Sequence, residues 1–248
     1  MKRLFWDIET TPCIGYFWRP SYRTSISYDN ILEQAKIICI SYKWQDEDEV
    51  HTLVWDGKDD KKLVKAFAKE LKKSDDAVAH NGDRFDLPWV KTRFLVHGVD
   101  FPAKITTTDT LKRARGNFRF PSNRLNDIGE YLGLGKKLDT GGFGLWKDVM
   151  KGDKKALEKM VKYCEQDVLL LEKVYYKLKN HVPVTLHEGV YNGHDKWTCP
   201  SCSSGRVKIN KKKVTATGII KRQLKCHDCN RYYTISNKAY IDYLKRKK

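Results

Sequence analysis

Two carboxylates interrupt an apolar run near the start of the chain. In LFWDIETTP, residues 4–12, Asp7 and Glu9 follow Leu4, Phe5 and Trp6. On a strand, residues two apart share a face at a spacing of about 7 Å. Two negative charges on one face repel, and burying them unpaired is costly. Further acids stand in odd surroundings. Asp86 lies in HNGDRFDLPWV (80–90), just after a short apolar run and at the mouth of an expected helix. Asp109 lies in TDT, and Asp167 lies in YCEQDV (163–168), four residues after Tyr163. A spacing of four puts Tyr163 and Asp167 on one helical face, about 6 Å apart along the axis. Taken singly, Asp86 reads as a helix N-cap and Asp167 as the partner of a lysine. Taken together they suggest a cation site, because hard divalent ions take oxygen ligands and make converging carboxylates tolerable. Two such ions about 4 Å apart can clamp a phosphodiester, activating water on one side and stabilising the leaving oxygen on the other.

A second constellation follows. CPSC (199–202) and CHDC (226–229) form two CxxC pairs separated by 23 residues. Cys199, Cys202, Cys226 and Cys229 then offer four thiolates to a tetrahedral zinc ion, closing a small β module with little core of its own. The separation exceeds the usual one and fits an extended hairpin over RVKINKKKVTATGIIKRQLK (206–225). Lys211, Lys212, Lys213 and Arg222 decorate that hairpin, and Tyr232 follows it. Cations interleaved with aromatics suit phosphate contact and base stacking on single strands. The plainer alternative is a solvated charged face on a module that zinc merely holds together. The terminal LKRKK (244–248) reads as a mobile basic tail.

The elements that must position these residues alternate. Strands are expected at 3–9, 35–44, 49–56, 76–82 and 104–111. Helices are expected at 61–73, from Asp86 or Leu87 to Gly98, at 123–133, and at 154–180 as one long helix or two abutting ones. Three strands in a row followed by strand–helix alternation predict an α/β fold with a mixed sheet. Periodicity fades over 181–196, where Pro and Gly appear. The expected organisation is a first domain at 1–180, a linker at 181–196 and the cysteine module with its basic tail at 197–248.

Bulk properties bound the partners. The 248 residues carry a formal net charge of +17, which favours a polyanion, nucleic acid first. The excess is uneven: residues 181–248 hold 15 Lys+Arg against four Asp+Glu, whereas 1–180 hold 33 against 27. The start, MKRLFWDIE, has no long apolar core, and no run approaches the roughly 18 apolar residues that span a bilayer. With paired CxxC cysteines and no export signal, metal is favoured over disulfides. The expectation is a cytoplasmic chain with no membrane partner.

DIE on a first strand, NGDRFD after a later strand and YCEQD on a final helix resemble, in order, the three motifs of the DEDD superfamily of 3′→5′ exonucleases. The second motif with its trailing LPWV, and SNRLNDIGEYLGLGKK (122–137), resemble the proofreading exonuclease domain of family-B DNA polymerases over about residues 1–180. Only 68 residues follow, so no polymerase domain is expected after them. The resemblance implies a ribonuclease H-like mixed sheet flanked by helices. It also implies Asp7, Glu9, Asp86 and Asp167 as ligands of two Mg²⁺ or Mn²⁺ ions, and Tyr163 as the residue of the tyrosine subclass that orients the attacking water. Asp83 rivals Asp86, but only Asp86 follows the aromatic as the motif requires. Thr10 and Asn81 are candidate contacts to the substrate strand. His80 either contacts substrate or ends the strand, and Asp109 either supports the site or caps a turn. Residues 197–234 resemble the zinc ribbons that flank nucleic-acid enzymes.

The expected activity is metal-dependent 3′→5′ exonuclease hydrolysis, with single-stranded DNA favoured and a replication or repair setting. An exoribonuclease or a structure-specific nuclease is the nearer alternative. A catalytically inactive nucleic-acid-binding protein is the alternative of another class.

Overall fold

The computed structural model describes residues 1–19, 25–101, 105–136, 138 and 140–246. They form two compact units, residues 2–175 and residues 176–248 with Met1. The first contains β1 (Arg3–Thr10), β2 (Ile14–Gly15), β3 (Ile31–Glu33), β4 (Ile37–Trp44), β5 (His51–Val54), β6 (Asp76–Ala79) and β7 (Thr107–Asp109). Its helices are α1 (Lys61–Lys73), α2 (Asp86–His97), α3 (Thr110–Asn117), α4 (Leu125–Tyr131), α5 (Gly144–Met150) and most of α6 (Lys154–Lys179). The second holds the end of α6, α7 (Glu188–Tyr191), β8 (Val207–Val214), β9 (Ile220–Cys226), β10 (Tyr232–Ser236) and α8 (Asn237–Arg246).

Five strands of the first unit pair in the order β5–β4–β1–β6–β7. β1 is antiparallel to β4 and parallel to β6, so the sheet is mixed, as the strand order in sequence predicts. Alternation along β1 sorts its side chains. Trp6 meets Phe67 of α1 with ring centroids 5.0 Å apart, whereas Phe5 meets Tyr175 of α6 edge-on at 5.3 Å. Asp7 and Glu9 share the Phe5 face, so α6 covers the carboxylate side and α1 the opposite one. The spacing of Leu63, Val64, Phe67 and Leu71 supplies the buried stripe of α1; each such side chain contributes about 1.5–3 kcal/mol by leaving water.

Polar pins set the position of α6 along the sheet. Lys43 of β4 bonds Glu172 at 2.9 Å, and Thr52 of β5 donates to Glu165 at 2.9 Å. Another cluster fixes α1, α2 and β4. Asp60 is fully buried; Arg93 donates to it through Nε at 2.7 Å and through the guanidinium tip at 2.6 Å, and it also accepts the Ile37 N–H at 2.9 Å. His97 Nε2 lies 2.6 Å away. Burial alone would lift the Asp60 carboxyl, but these hydrogen bonds outweigh it and hold its pKa below the ordinary value. The stabilisation is therefore present above the ordinary carboxylate range and is lost as pH falls through the lowered folded value. Arg93→Met is expected to cost about 3–5 kcal/mol in urea unfolding, because it strands a buried carboxylate, and to move acid unfolding to higher pH.

Several elements depart from expectation. The run read as a strand over 104–111 starts outside the described residues, and β7 ends at Asp109. The Asp109 carboxylate accepts the N–H groups of Leu111 (2.9 Å) and Lys112 (3.2 Å) and so begins α3. β-prone threonines mask that start, because a cap acts through one hydrogen-bonding side chain and not through periodicity. α6 is one helix of 26 residues. Residues 181–196, expected as a linker, carry α7, whose Glu188 pairs with Lys179 at 2.7 Å. Leu244–Arg246, read as part of a mobile tail, continue α8; Ala239 and Tyr243 of that helix join a core with Leu224 and Ile235. Lys247 and Lys248 lie outside the described residues.

Candidate metal-dependent active site

β1 pairs with β6 only from Arg3 to Phe5. Beyond Ala79 the chain leaves the sheet through a tight turn. Asn81 takes a left-handed backbone with φ of 68°, and a Cβ on Gly82 would lie 2.4 Å from the Ala79 Cβ. Asp109 holds this turn by accepting the Asn81 N–H at 3.1 Å, which makes it a cap of the turn. The departure of β6 leaves the Ile8 N–H to be satisfied elsewhere. Asp86, the first residue of α2, takes it at 3.2 Å. Phe85, not Asp86, stands at the N-cap position.

Asp7 and Glu9 from β1 and Asp167 from α6 each offer a carboxylate oxygen within 4.8 Å of the others. Asp167 and Asp86 are each 1% exposed. Asp86 meets β1 at the backbone between Asp7 and Glu9. Oxygens around one hard cation at about 2.0–2.5 Å lie no more than about 4–5 Å apart, so the all-oxygen donor set and its spacing fit such an ion. Tyr163, half-buried, sits about one turn before Asp167 on α6. Cys164 beneath them directs its thiol toward the Asp7 carbonyl (3.5 Å) and carboxylate (3.7 Å). Burial pushes this thiol well up, and Cys39, Asp7 and Glu9 add to the effect, so Cys164 is a neutral packing group and not a nucleophile.

The other candidates near these acids separate by role. Asp83 pairs with Lys112 at 2.7 Å; despite burial, that bond holds its carboxyl below the ordinary value. His80 is fastened at both ring nitrogens, to Thr110 Oγ1 at 2.9 Å and to the Asn123 carbonyl at 3.0 Å. The Thr10 carbonyl accepts from Trp146 Nε1 at 3.2 Å, at a register shift between Glu9 and Thr10. Asn81 and Tyr163 line an open cleft of about 670 Å³ with Arg115, Asn123, Arg124 and Asn126. Arg124 lies near the Asp127 carboxylate, whose pKa is held below the ordinary value first by the Ser122 hydroxyl and also by the Arg124 charge. Neither Arg115 nor Arg124 stands out in a sequence this basic; only the fold brings them to the cleft that holds Tyr163. A further acidic group, Asp59, Asp60 and His97, already contains the cation of Arg93.

In the second unit the four cysteine sulfurs lie within 4.8 Å of one another. Cys199 and Cys229 are 3.5 Å apart and Cys202 and Cys226 3.6 Å apart. These distances are too long for disulfides and near the roughly 3.8 Å edge of a tetrahedron with zinc–sulfur bonds of about 2.3 Å. Burial pushes the Cys199 thiol up and that of Cys202 to about 11. At Cys226 burial is outweighed by hydrogen bonds from the Cys229 backbone and the neighbouring sulfurs, and its pKa falls. Lys211, Lys212 and Lys213 are exposed on β8, and Tyr232 is exposed with the Lys225 ammonium 5.7 Å above its ring. Arg222 differs from the lysines. Its Nε donates to Asn237 at 3.1 Å and its guanidinium lies 4.8 Å over Tyr240, so it fastens α8 to β9.

A mixed five-stranded sheet with acids on its central strand and flanking helices defines a ribonuclease H-like class. The sequence profile of the RNase H superfamily matches residues 31–179, and the chain belongs to that superfamily. Members of this superfamily are nucleases that use divalent metals. Asp7 and Glu9 precede the matched span. Among solved structures, the fold is similar to the family B DNA polymerase from the hyperthermophilic archaeon Pyrobaculum calidifontis. That likeness has a TM-score of 0.55 and 19% identity, and it covers 72% of this chain. The chain spans 24% of that polymerase, so the likeness is one of fold. A comparison with curated proteins finds no match. Among the described residues no helix is long and apolar enough to cross a membrane.

Proposed function

We propose that this chain is a metal-dependent 3′→5′ exonuclease of the DEDD type, tyrosine subclass, acting on single-stranded DNA. The observation that carries the reading is the meeting of Asp7 and Glu9 with Asp167 inside 4.8 Å, on the central strand of an RNase H-like sheet. The acids Asp7, Glu9, Asp86 and Asp167 hold two Mg²⁺ or Mn²⁺ ions. Bound there, such ions neutralise charge on the phosphate and lower the pKa of the attacking water. Tyr163 orients that water through its hydroxyl. Asn81, Arg115 and Arg124 position the strand in the adjoining cleft, with Thr10 at the end of β1 as a further contact. Cys199, Cys202, Cys226 and Cys229 hold a structural Zn²⁺ in a ribbon whose exposed lysines and Tyr232 attract the substrate. A replication or repair role agrees with the likeness to a polymerase fold.

Digestion of 5′-labelled single-stranded DNA and matched RNA with Mg²⁺ or Mn²⁺ tests the reading. The expected result is a metal-dependent ladder that shortens from the 3′ end, faster on DNA. Tyr163→Phe is expected to slow it by about 10- to 100-fold through loss of positioning, with binding of the strand nearly unchanged. A faster ladder on RNA would make the chain an exoribonuclease, and internal cuts at junctions a structure-specific nuclease. Salt-sensitive binding without any cleavage would favour an inactive nucleic-acid-binding protein.

A further inference from the structure

The β8–β9 hairpin is built unlike an ordinary surface turn. Its ladder sets Lys213 opposite Lys221, Lys212 opposite Arg222 and Val214 opposite Ile220. Strand alternation then puts Lys211, Lys213 and Lys221 on one face and Lys212 with Val214 on the other. Like charges directly opposed destabilise a ladder, and no carboxylate of the described residues pairs with these four lysines. A polyanion laid along the hairpin would remove that repulsion.

The tip adds a second feature. Val214 and Ile219 are 59% and 58% exposed where hairpin turns are usually polar. The turn between them is closed: the Thr215 N–H donates to the Ile219 carbonyl at 3.0 Å and the Gly218 N–H to the Thr215 carbonyl at 2.9 Å. The Ile219 N–H also donates to Thr215 Oγ1 at 3.0 Å. Because Thr215 faces Ile219 across the turn, Ile219 continues the face of Lys213 and Lys221, while Val214 lies on the face of Lys212. The tip thus carries exposed Val214 beside the half-buried Ile220 on one face and exposed Ile219 on the other, with cations directly behind on both. A patch that docks flat on a protein would gather its apolar groups on one face. Apolar groups on both faces of a thin, stiff blade suit insertion between two surfaces, and apolar side chains entering between base steps unstack them.

We propose that this hairpin is a wedge for nucleic acid. Val214 and Ile219 enter at the junction of single and double strand, and Lys211, Lys212, Lys213 and Lys221 hold the flanking phosphates. The inference stands apart from the nuclease reading, and its test needs no cleavage. Full-length protein carrying Asp7→Asn is titrated into forked DNA with 2-aminopurine at the junction pair, or at an interior pair as the control. Fluorescence is expected to rise severalfold at the junction and not in the interior. Val214→Ser with Ile219→Ser is expected to remove that rise while affinity falls less than about 10-fold. Lys211→Glu, Lys213→Glu and Lys221→Glu together are expected to lower affinity at least about 10-fold and flatten the slope of log K against log salt by roughly three. No rise at the junction with the wild-type hairpin overturns the proposal without recourse to any hairpin variant. So does a rise that survives the tip substitutions, or hairpin-dependent binding to phosphatidylserine vesicles in preference to the fork.

Discussion

Asp7→Asn is expected to lower metal-dependent cleavage by at least about 10²- to 10³-fold, the scale on which removing one charge-stabilising group acts in a dry site. The substitution keeps the volume of the side chain and its place on β1, where the backbone pairs with Ser41 of β4. What it removes is one of three negative charges within 4.8 Å. Without a cation those charges repel, so the variant is expected to melt no lower than the wild type in the absence of Mg²⁺ or Mn²⁺. The wild type should gain thermal stability on adding either ion, since a ligand that binds only the folded state stabilises it. The variant should lose most of that gain. Thermal melting with and without ion, alongside the cleavage assay, checks both halves. A variant that melts well below the wild type without metal would mean that Asp7 holds the fold and not an ion.

Cys226→Ser is expected to unfold most of the second unit. Its sheet rests on a small core around Cys199, Val207, Leu224, Cys226 and Tyr233, two of which carry thiols of the cluster. A core of that size does not support a domain by itself, whereas structural zinc supplies an apparent 10–16 kcal/mol in such modules. Zinc content should fall from one ion per chain to none, and trypsin should cut at Lys211–Lys213, which the paired hairpin otherwise presents in a strand. Zinc stoichiometry and limited proteolysis of the full chain measure this. A variant that keeps its protease resistance without zinc would show that packing alone holds the unit.

Much of this was legible in the residues. The period-two run into Asp7 and Glu9, the 3.6-residue stripe of α1 and the four-residue step from Tyr163 to Asp167 each report a local geometry, and local geometry follows from chain stereochemistry. The two CxxC pairs are equally local. Short elements were not legible: α3 begins because one Asp109 side chain caps it, and α8 forms where its apolar face meets the sheet of the second unit. Arg222 stands among lysines in sequence, yet Asn237 and Tyr240 claim its guanidinium.

The sequence by itself determined which residue types and spacings were on offer: two acids on one strand face, one on a helix, four thiols in knuckles and an excess of cations. Tertiary structure decided which of them meet. Asp7 and Asp167 are 160 positions apart, and no periodicity relates them. Their approach depends on the pins Lys43–Glu172 and Thr52–Glu165 that position α6 along the sheet. Asp86 and Asp83 part company because β6 ends early: the freed Ile8 N–H goes to the Asp86 carboxylate, while Asp83 pairs with Lys112. Long-range hydrogen bonds and burial act between segments the chain brings together only on folding, and for that reason the site belongs to the fold while its ingredients belong to the sequence.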